Sequence, residues 1–356
     1  MVPGSTGTAE SPAAPDRPDS PQLLDSFGRV ARDLRVSLTD RCNLRCTYCM
    51  PAEGLDWLPG PELLSDDELI RLLDIAVTRL GITNVRFTGG EPLLRRGITK
   101  IIAATAALSP RPRISITTNG IGLARKAVAL AEAGLDRVNV SLDTLRADRF
   151  RDITRRDRLA DVLAGLAAAA DAGLTPVKLN AVLMRGVNDD EAAELLRYCL
   201  DRGYELRFIE QMPLDPQHGW DRGMMVTAEE ILTTLRAGFD LGASPDPRGP
   251  APAERWLVRE RGSTNTEVLG SVGVIGSVTR PFCGDCDRTR LTADGQMRNC
   301  LFSQVETDLR DLLRSGADDE NLADRWRIGM WGKLAGHRIN DAGFAQPIRP
   351  MSAIGG

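Results

Sequence analysis

Six of the seven cysteines in this chain of 356 residues fall into two triads. The first, Cys42-x3-Cys46-x2-Cys49, groups three soft thiolates of the kind that hold iron–sulfur clusters or zinc. A four-iron cube needs four protein ligands to be closed, so three leave one iron open to a small chelating molecule. Zinc would need a histidine to complete the set, and the two histidines, His218 and His337, lie far from this triad and outside any zinc-like spacing. The second triad, Cys283-x2-Cys286-x13-Cys300, again lacks a fourth thiolate. Structural zinc stays open there as an alternative, because a C-x2-C followed by another cysteine is also a zinc pattern. Beside it stands Arg288-Thr289-Arg290. In an extended segment alternate side chains share a face, and paired guanidinium groups match phosphate by bidentate hydrogen bonds, which implies a polyanion. Cys199, at helical spacing from Leu195 and Leu196, reads as a small buried apolar residue.

The elements that position these residues are repeated βα units. Strands are expected over Asp33–Thr39, Asn84–Thr88, Arg113–Thr118, Asp136–Leu142, Pro176–Leu183 and Glu205–Gln211, with helices between them. Ser65 and Glu68 make a capping box for the first helix, followed by Leu69, Leu72, Leu73, Ala76 and Leu80 at helical spacing. Strand parity separates two rows. Leu34, Val36, Leu38, Val85, Phe87, Ile114, Ile116, Val138, Val140, Leu142, Val177, Leu179 and Ala181 suit packing under helices. The opposite row is polar: Arg35, Ser37, Thr39, Arg86, Thr88, Ser115, Thr117, Asn119, Asn139, Ser141, Asp143, Lys178 and Asn180. Closed barrels fill their interior with branched apolar residues, so this row implies a lumen holding ligand, faced by the cations Arg35, Arg86 and Lys178. Buried cations without counter-charges cost several kcal/mol by order of magnitude, and Asp143 alone cannot neutralise three.

The expected fold is α/β, an incomplete (βα)6 TIM-type barrel with a C-terminal extension carrying the second cysteine triad. The regions are a disordered extension over 1–25, rich in Pro, Ser, Ala, Gly and Asp, a partial barrel over 26–215, and a C-terminal region over 216–356 that ends in Gly355-Gly356. With 45 Lys+Arg against 49 Asp+Glu no broad basic face for nucleic acid exists. No apolar run approaches the roughly 18 residues of a membrane span, and the first residues lack a signal-peptide pattern. A cytoplasmic location is expected, without membrane or nucleic-acid partners.

Cys42-x3-Cys46-x2-Cys49 with Tyr48 before its last cysteine, followed by Thr88-Gly89-Gly90-Glu91-Pro92, resembles the radical S-adenosylmethionine (SAM) superfamily. With the second triad, Thr117-Thr118-Asn119-Gly120, Ser141-Leu142-Asp143, Val177-Lys178-Leu179-Asn180, Met212-Pro213 and the Gly-Gly terminus, the chain resembles the molybdenum cofactor biosynthesis protein A family, the GTP 3',8-cyclases. The resemblance implies two [4Fe-4S] clusters, one on Cys42, Cys46 and Cys49, the other on Cys283, Cys286 and Cys300 with an open iron near the GTP base. It implies SAM contacts at Tyr48, Gly90, Ser141 and Met212, and a GTP site of Arg35, Arg86, Thr117, Lys178, Arg288, Thr289 and Arg290. Arg35 also joins the cysteines of the first triad in the catalytic set. The implied chemistry is hydrogen abstraction from ribose C3' by a 5'-deoxyadenosyl radical, then attack on guanine C8 to give 3',8-cyclo-7,8-dihydro-GTP. The implied partners are a reducing electron donor and a downstream cyclic pyranopterin monophosphate synthase. Homodimer formation is left open. The rival readings are a radical enzyme acting on a peptide or other small molecule, and a redox or zinc regulator. The tail at Gly355-Gly356 is expected to thread toward the open barrel and help arrange groups such as Arg35.

Overall fold

The alternation of apolar and polar residues becomes two faces of one parallel sheet. The computed structural model describes residues 17–262 and 267–355. The six expected strands are present as β1 (Asp33–Ser37), β2 (Asn84–Thr88), β3 (Arg113–Thr118), β4 (Arg137–Ser141), β5 (Lys178–Val182) and β6 (Glu205–Ile209), each parallel to the next. Every member of the expected apolar row is buried in a single core that also takes in the helices. Those helices are α1 (Asp66–Thr78), α2 (Ile98–Ala106), α3 (Ala127–Glu132), α4 (Ala147–Thr154), α5 (Leu159–Asp171) and α6 (Ala192–Asp201). Both hydrogen bonds of the Ser65–Glu68 capping box form, which fixes where α1 begins below the first cysteine loop. Cys199 is fully buried in α6.

The C-terminal region is not a separate layer. After α7 (Ala228–Gly238), strands β7 (Phe239–Ala243), β8 (Glu254–Glu260) and β9 (Gly270–Ile275) form an antiparallel ribbon whose last member lies parallel to β6. The next strand, β10 (Arg288–Leu291), lies parallel to β1 at the opposite edge of the six, followed by β11 (Gln296–Arg298) and β12 (Thr307–Asp308). Residues 276–287 therefore run from one edge of the six strands to the other, and they carry Phe282, Cys283 and Cys286. Glu210 fastens this crossing: its fully buried carboxylate accepts from the backbone N–H of Ala228, Val278 and Thr279 at 2.7, 2.8 and 2.9 Å. The helices α8 (Arg310–Arg314), α9 (Asp319–Trp331) and α10 (Met351–Ile354) complete the chain.

Of the extension expected over 1–25, residues 1–16 lie outside the described residues. The part from 17 onward is described, and the boundary at 25 needs correction: Leu23 and Asp25 are fully buried. Asp25 accepts from Arg29 Nε at 2.6 Å, and the Arg29 guanidinium in turn donates to the Cys283 carbonyl at 2.6 Å, so this segment packs against the second triad. Among the described residues no helix is long and apolar enough to cross a membrane.

Candidate functional site

The first triad sits in the loop leaving β1, and two glycines explain how it is held. Gly90 N–H donates to the Thr39 carbonyl and Glu91 N–H to the Arg41 carbonyl, both at 2.8 Å. A Cβ on Gly90 would overlap the carbonyl oxygens of Asp40 and Arg41, and one on Gly89 the Thr39 carbonyl oxygen, so the turn after β2 can dock on the cysteine loop only without side chains. Glu91 anchors the turn from below, accepting from Asn119 N–H and the Thr118 hydroxyl at 2.7 Å each, and burial raises its carboxyl to about 7. On the other side, Arg45 and Thr47 N–H reach the Thr154 and Ile153 carbonyls at the end of α4. Burial raises the Cys46 thiol well above the ordinary range, with Cys49, Asp143 and Cys42 adding to it, and pushes Cys49 up to about 12. Such thiols become thiolates only beside a strong cationic partner, which is what cluster irons provide. Tyr48 donates to Asp143 Oδ2 at 2.8 Å, and Asp143 Oδ1 accepts from Val182 N–H at 2.8 Å.

Cys42, Cys46 and Cys49 line one cavity of about 310 Å³. Tyr48, Gly90, Ser141 and Met212 line it too, as do Arg35, Arg86, Thr117, Arg288 and Arg290. The sheet register sets the charge: Arg290 pairs with Arg35, and Arg35 with Arg86, so three guanidinium groups stand in a row across β10, β1 and β2. Like charges on neighbouring strands of such a row repel one another. Burial, then the Arg86 charge, pulls the Arg35 guanidinium down to about 9. The nearest carboxylate, Asp33, reaches Arg35 only at 3.8 Å and Arg86 at 3.9 Å. Buried polar atoms without hydrogen-bond partners cluster around the same space: Arg35 Nε, Arg207 Nε, Asn180 Oδ1 and Ser352 Oγ. These are unspent donors and acceptors around an excess of positive charge.

The second triad lies one residue behind this wall. Phe282 and Leu301 line the cavity, and Cys283 and Cys300 adjoin them in the chain, with Cys286 three residues further on. Cys300 instead lines a larger cavity of about 640 Å³ with Phe302, Trp331, His337 and Phe344, whose lining cation, Arg338, is paired to Asp341 at 2.8 Å. The larger space thus lacks the cation row. His337 comes close to the second triad, yet its Nε2 is bonded to the Ser277 carbonyl at 2.8 Å and its Nδ1 accepts from Ile339 N–H at 3.1 Å. Burial alone would raise the Cys286 thiol, but the Arg288 and Lys333 charges bring it down to about 7. Among the described residues no three His, Cys, Asp or Glu side chains converge on a single-ion site. Cluster thiolates each bind a different iron and need not converge on one point.

Two expected positions differ. Lys178 opens β5 at the end remote from the cysteines and pairs with Glu205 instead of lining the cavity. Thr289 points to the opposite face from its neighbours, fully buried, with its hydroxyl accepting from Trp326 Nε1 at 3.2 Å. Arg207 on β6 lines the cavity and donates to Asn139 Oδ1 at 2.7 Å, although the polar row omitted it. Its alternation with Leu206 and Phe208 was the available signal. In the tail, Met351 and Ser352 line the cavity and Gly355 stands against Ser37 and Thr88, with φ +85°. Its carbonyl accepts from Arg290, so the arginine it meets is Arg290 rather than the expected Arg35. Gly356 lies outside the described residues.

Replacing all three cysteines of either triad by Ala is expected to remove about half of the iron bound after anaerobic reconstitution. Cys199→Ala, in the α6 core, is expected to remove none. Iron and sulfide assays on the three proteins check both.

Residues 36–199 match the family described as the Radical SAM superfamily, and residues 204–339 the family described as Molybdenum Cofactor Synthesis C. Over 356 residues the chain is 65% identical to a protein of Mycobacterium sp. (strain KMS) named GTP 3',8-cyclase, covering 100% of this chain and 99% of that protein. A protein of the same name from Streptomyces coelicolor is 67% identical over 335 residues, 94% of this chain and 96% of the other. Among solved structures, Streptococcus suis SuiB bound to S-adenosylmethionine shares the fold, with a TM-score of 0.55 at 16% identity over 82% of this chain and 67% of that one.

Proposed function

The chain belongs to the radical SAM superfamily, among the GTP 3',8-cyclases of molybdenum cofactor synthesis, and on that premise we propose how its residues divide the work. It converts GTP to 3',8-cyclo-7,8-dihydro-GTP, with hydrogen abstraction at ribose C3' and attack of that carbon on guanine C8, the first step toward the cofactor. Cys42, Cys46 and Cys49 would hold a cluster that, together with SAM, would supply the one chemistry no side chain has, the one-electron reduction that starts the hydrogen abstraction.

Everything else is positioning. Tyr48, Gly90, Ser141 and Met212 line the cavity on the cysteine side and are assigned to SAM. Asp143 holds the Tyr48 hydroxyl and ties it to β5. Arg290, Arg35, Arg86, Arg288 and Arg207 are assigned to the substrate, with the phosphates on the in-register row and Thr117 beside it. A second cluster on Cys283, Cys286 and Cys300 would meet the base through the wall formed by Phe282 and Leu301. The crossing segment and the tail close the open side of the sheet and exclude stray hydrogen donors from the ribose.

The observation that carries this reading is the in-register row of three guanidinium groups in the cavity that the first triad also lines. A peptide substrate offers no matching polyanion. The test is anaerobic incubation with SAM and dithionite: 5'-deoxyadenosine forms with GTP and not with guanosine, whereas equal formation with both would remove the triphosphate from the reading.

A further inference from the structure

Lys333 follows the C-terminus of α9 and is 3% exposed. Its ammonium spends all three N–H bonds: on Cys286 Sγ at 3.3 Å, on the Cys286 carbonyl at 3.0 Å and on the Arg288 carbonyl at 2.9 Å. None of these acceptors is a carboxylate. A buried ammonium needs a counter-charge, and beside the Asp287 carboxyl, which attracts it without a hydrogen bond, the one hydrogen-bonded acceptor that can carry negative charge is the Cys286 sulfur. The same ammonium joins this sulfur to the backbone of Arg288, which lines the substrate cavity.

We propose that Lys333 is a positioning residue for the second cluster, donating an N–H···S hydrogen bond to the Cys286 thiolate that raises the cluster's reduction potential and secures its iron. The proposal rests on the two-cluster reading above. A hydrogen bond to a ligating sulfur withdraws electron density from the metal and favours the reduced, more negative state. A lysine also brings a full positive charge, so its effect exceeds that of a backbone amide. Removing it makes the cluster harder to reduce.

The test uses the full chain with Cys42, Cys46 and Cys49 replaced by Ala, so that all bound iron reports on the second triad. After anaerobic reconstitution, iron content is measured, and the midpoint potential is read by electron paramagnetic resonance during titration with dithionite and viologen mediators. Lys333→Met, which keeps the apolar stem, is expected to shift the one-electron equilibrium at least tenfold toward the oxidised form, about 59 mV. It is also expected to lose iron faster to a chelator, and Lys333→Arg to recover most of both effects. In thermal melts Lys333→Met should lower Tm more for the iron-loaded protein than for the apo-protein, because the ammonium's hydrogen bond to Cys286 Sγ then also holds a cluster ligand in place. A parental potential in loaded Lys333→Met, or equal loss of Tm in apo and loaded protein, would overturn the proposal and leave Lys333 a structural tie. Should Lys333→Met bind no iron, Lys333→Gln, which keeps an N–H without the charge, takes its place: a lowered potential supports the proposal and a parental one overturns it. If the Lys333 parent itself binds no iron, the two-cluster reading falls and this proposal with it.

Discussion

Ending the chain at Ile354 is expected to lower turnover by about 100-fold, the scale of a misplacement near 1 Å, while GTP affinity changes by less than tenfold. Gly355 takes φ +85° and sits so close to Ser37 and Thr88 that a Cβ would overlap both side chains. Its carbonyl accepts from Arg290, the first guanidinium of the in-register row. Without that acceptor Arg290 still carries its charge and still attracts phosphate, but its direction is no longer fixed. Binding therefore suffers less than the alignment of the ribose. Single-turnover formation of the cyclised product under anaerobic, reduced conditions, beside a GTP titration, separates the two. A truncated chain with the full-length single-turnover rate would reduce the tail to a frayed end. Both triads should keep their iron in the truncated protein.

The second large effect is on binding. Arg290→Ala is expected to weaken GTP by about 1.5 to 3 kcal/mol, the worth of a charge-assisted hydrogen bond, or roughly 10- to 150-fold in Kd, and Arg288→Ala by a similar amount. The stability of the empty protein should move the other way. Burial, then the Arg35 and Arg288 charges, lower the Arg290 pKa from its ordinary value. A cation whose pKa falls on folding destabilises the fold at every pH below that lowered value, so its removal relieves the empty protein. Thermal melts should show Arg290→Ala no less stable than the parent without ligand, and a smaller rise in Tm on adding GTP. A lower Tm without ligand and an unchanged rise with GTP would mean that Arg290 is a structural tie. Guanosine, which carries no phosphate, should bind the variants and the parent almost equally.

Strand periodicity made the six central strands legible, because residues such as Val36, Phe87 and Val140 alternate without interruption with polar partners. It reached less far at the sheet edges for a physical reason. β9, with Val272 and Val274, and β10, with Arg288 and Arg290 in an extended segment, pair with strands that lie far away in sequence. The crossing of 276–287 could not be foreseen without them. Parity also gives the side of a sheet and not the height along it. Lys178 has the parity of the lumen but opens its strand, where Glu205 is the neighbour across the ladder. The cysteine loop was readable because its chemistry lies in residue type and spacing. The polar row itself pointed to a lumen, but that its cations align on β10, β1 and β2 came only with the register.

The most direct test of the central claim follows one hydrogen atom. GTP carrying deuterium at ribose C3' is incubated anaerobically with the reduced, iron-loaded protein and SAM, and the 5'-deoxyadenosine formed is weighed by mass spectrometry. The GTP 3',8-cyclase reaction, with the guanidinium row and the first triad lining one cavity, predicts that one deuterium is transferred to 5'-deoxyadenosine and that the cyclised product has lost it. Unlabelled 5'-deoxyadenosine with the deuterium retained in the nucleotide would contradict the account, because the carbon held toward the first triad would then not be C3'.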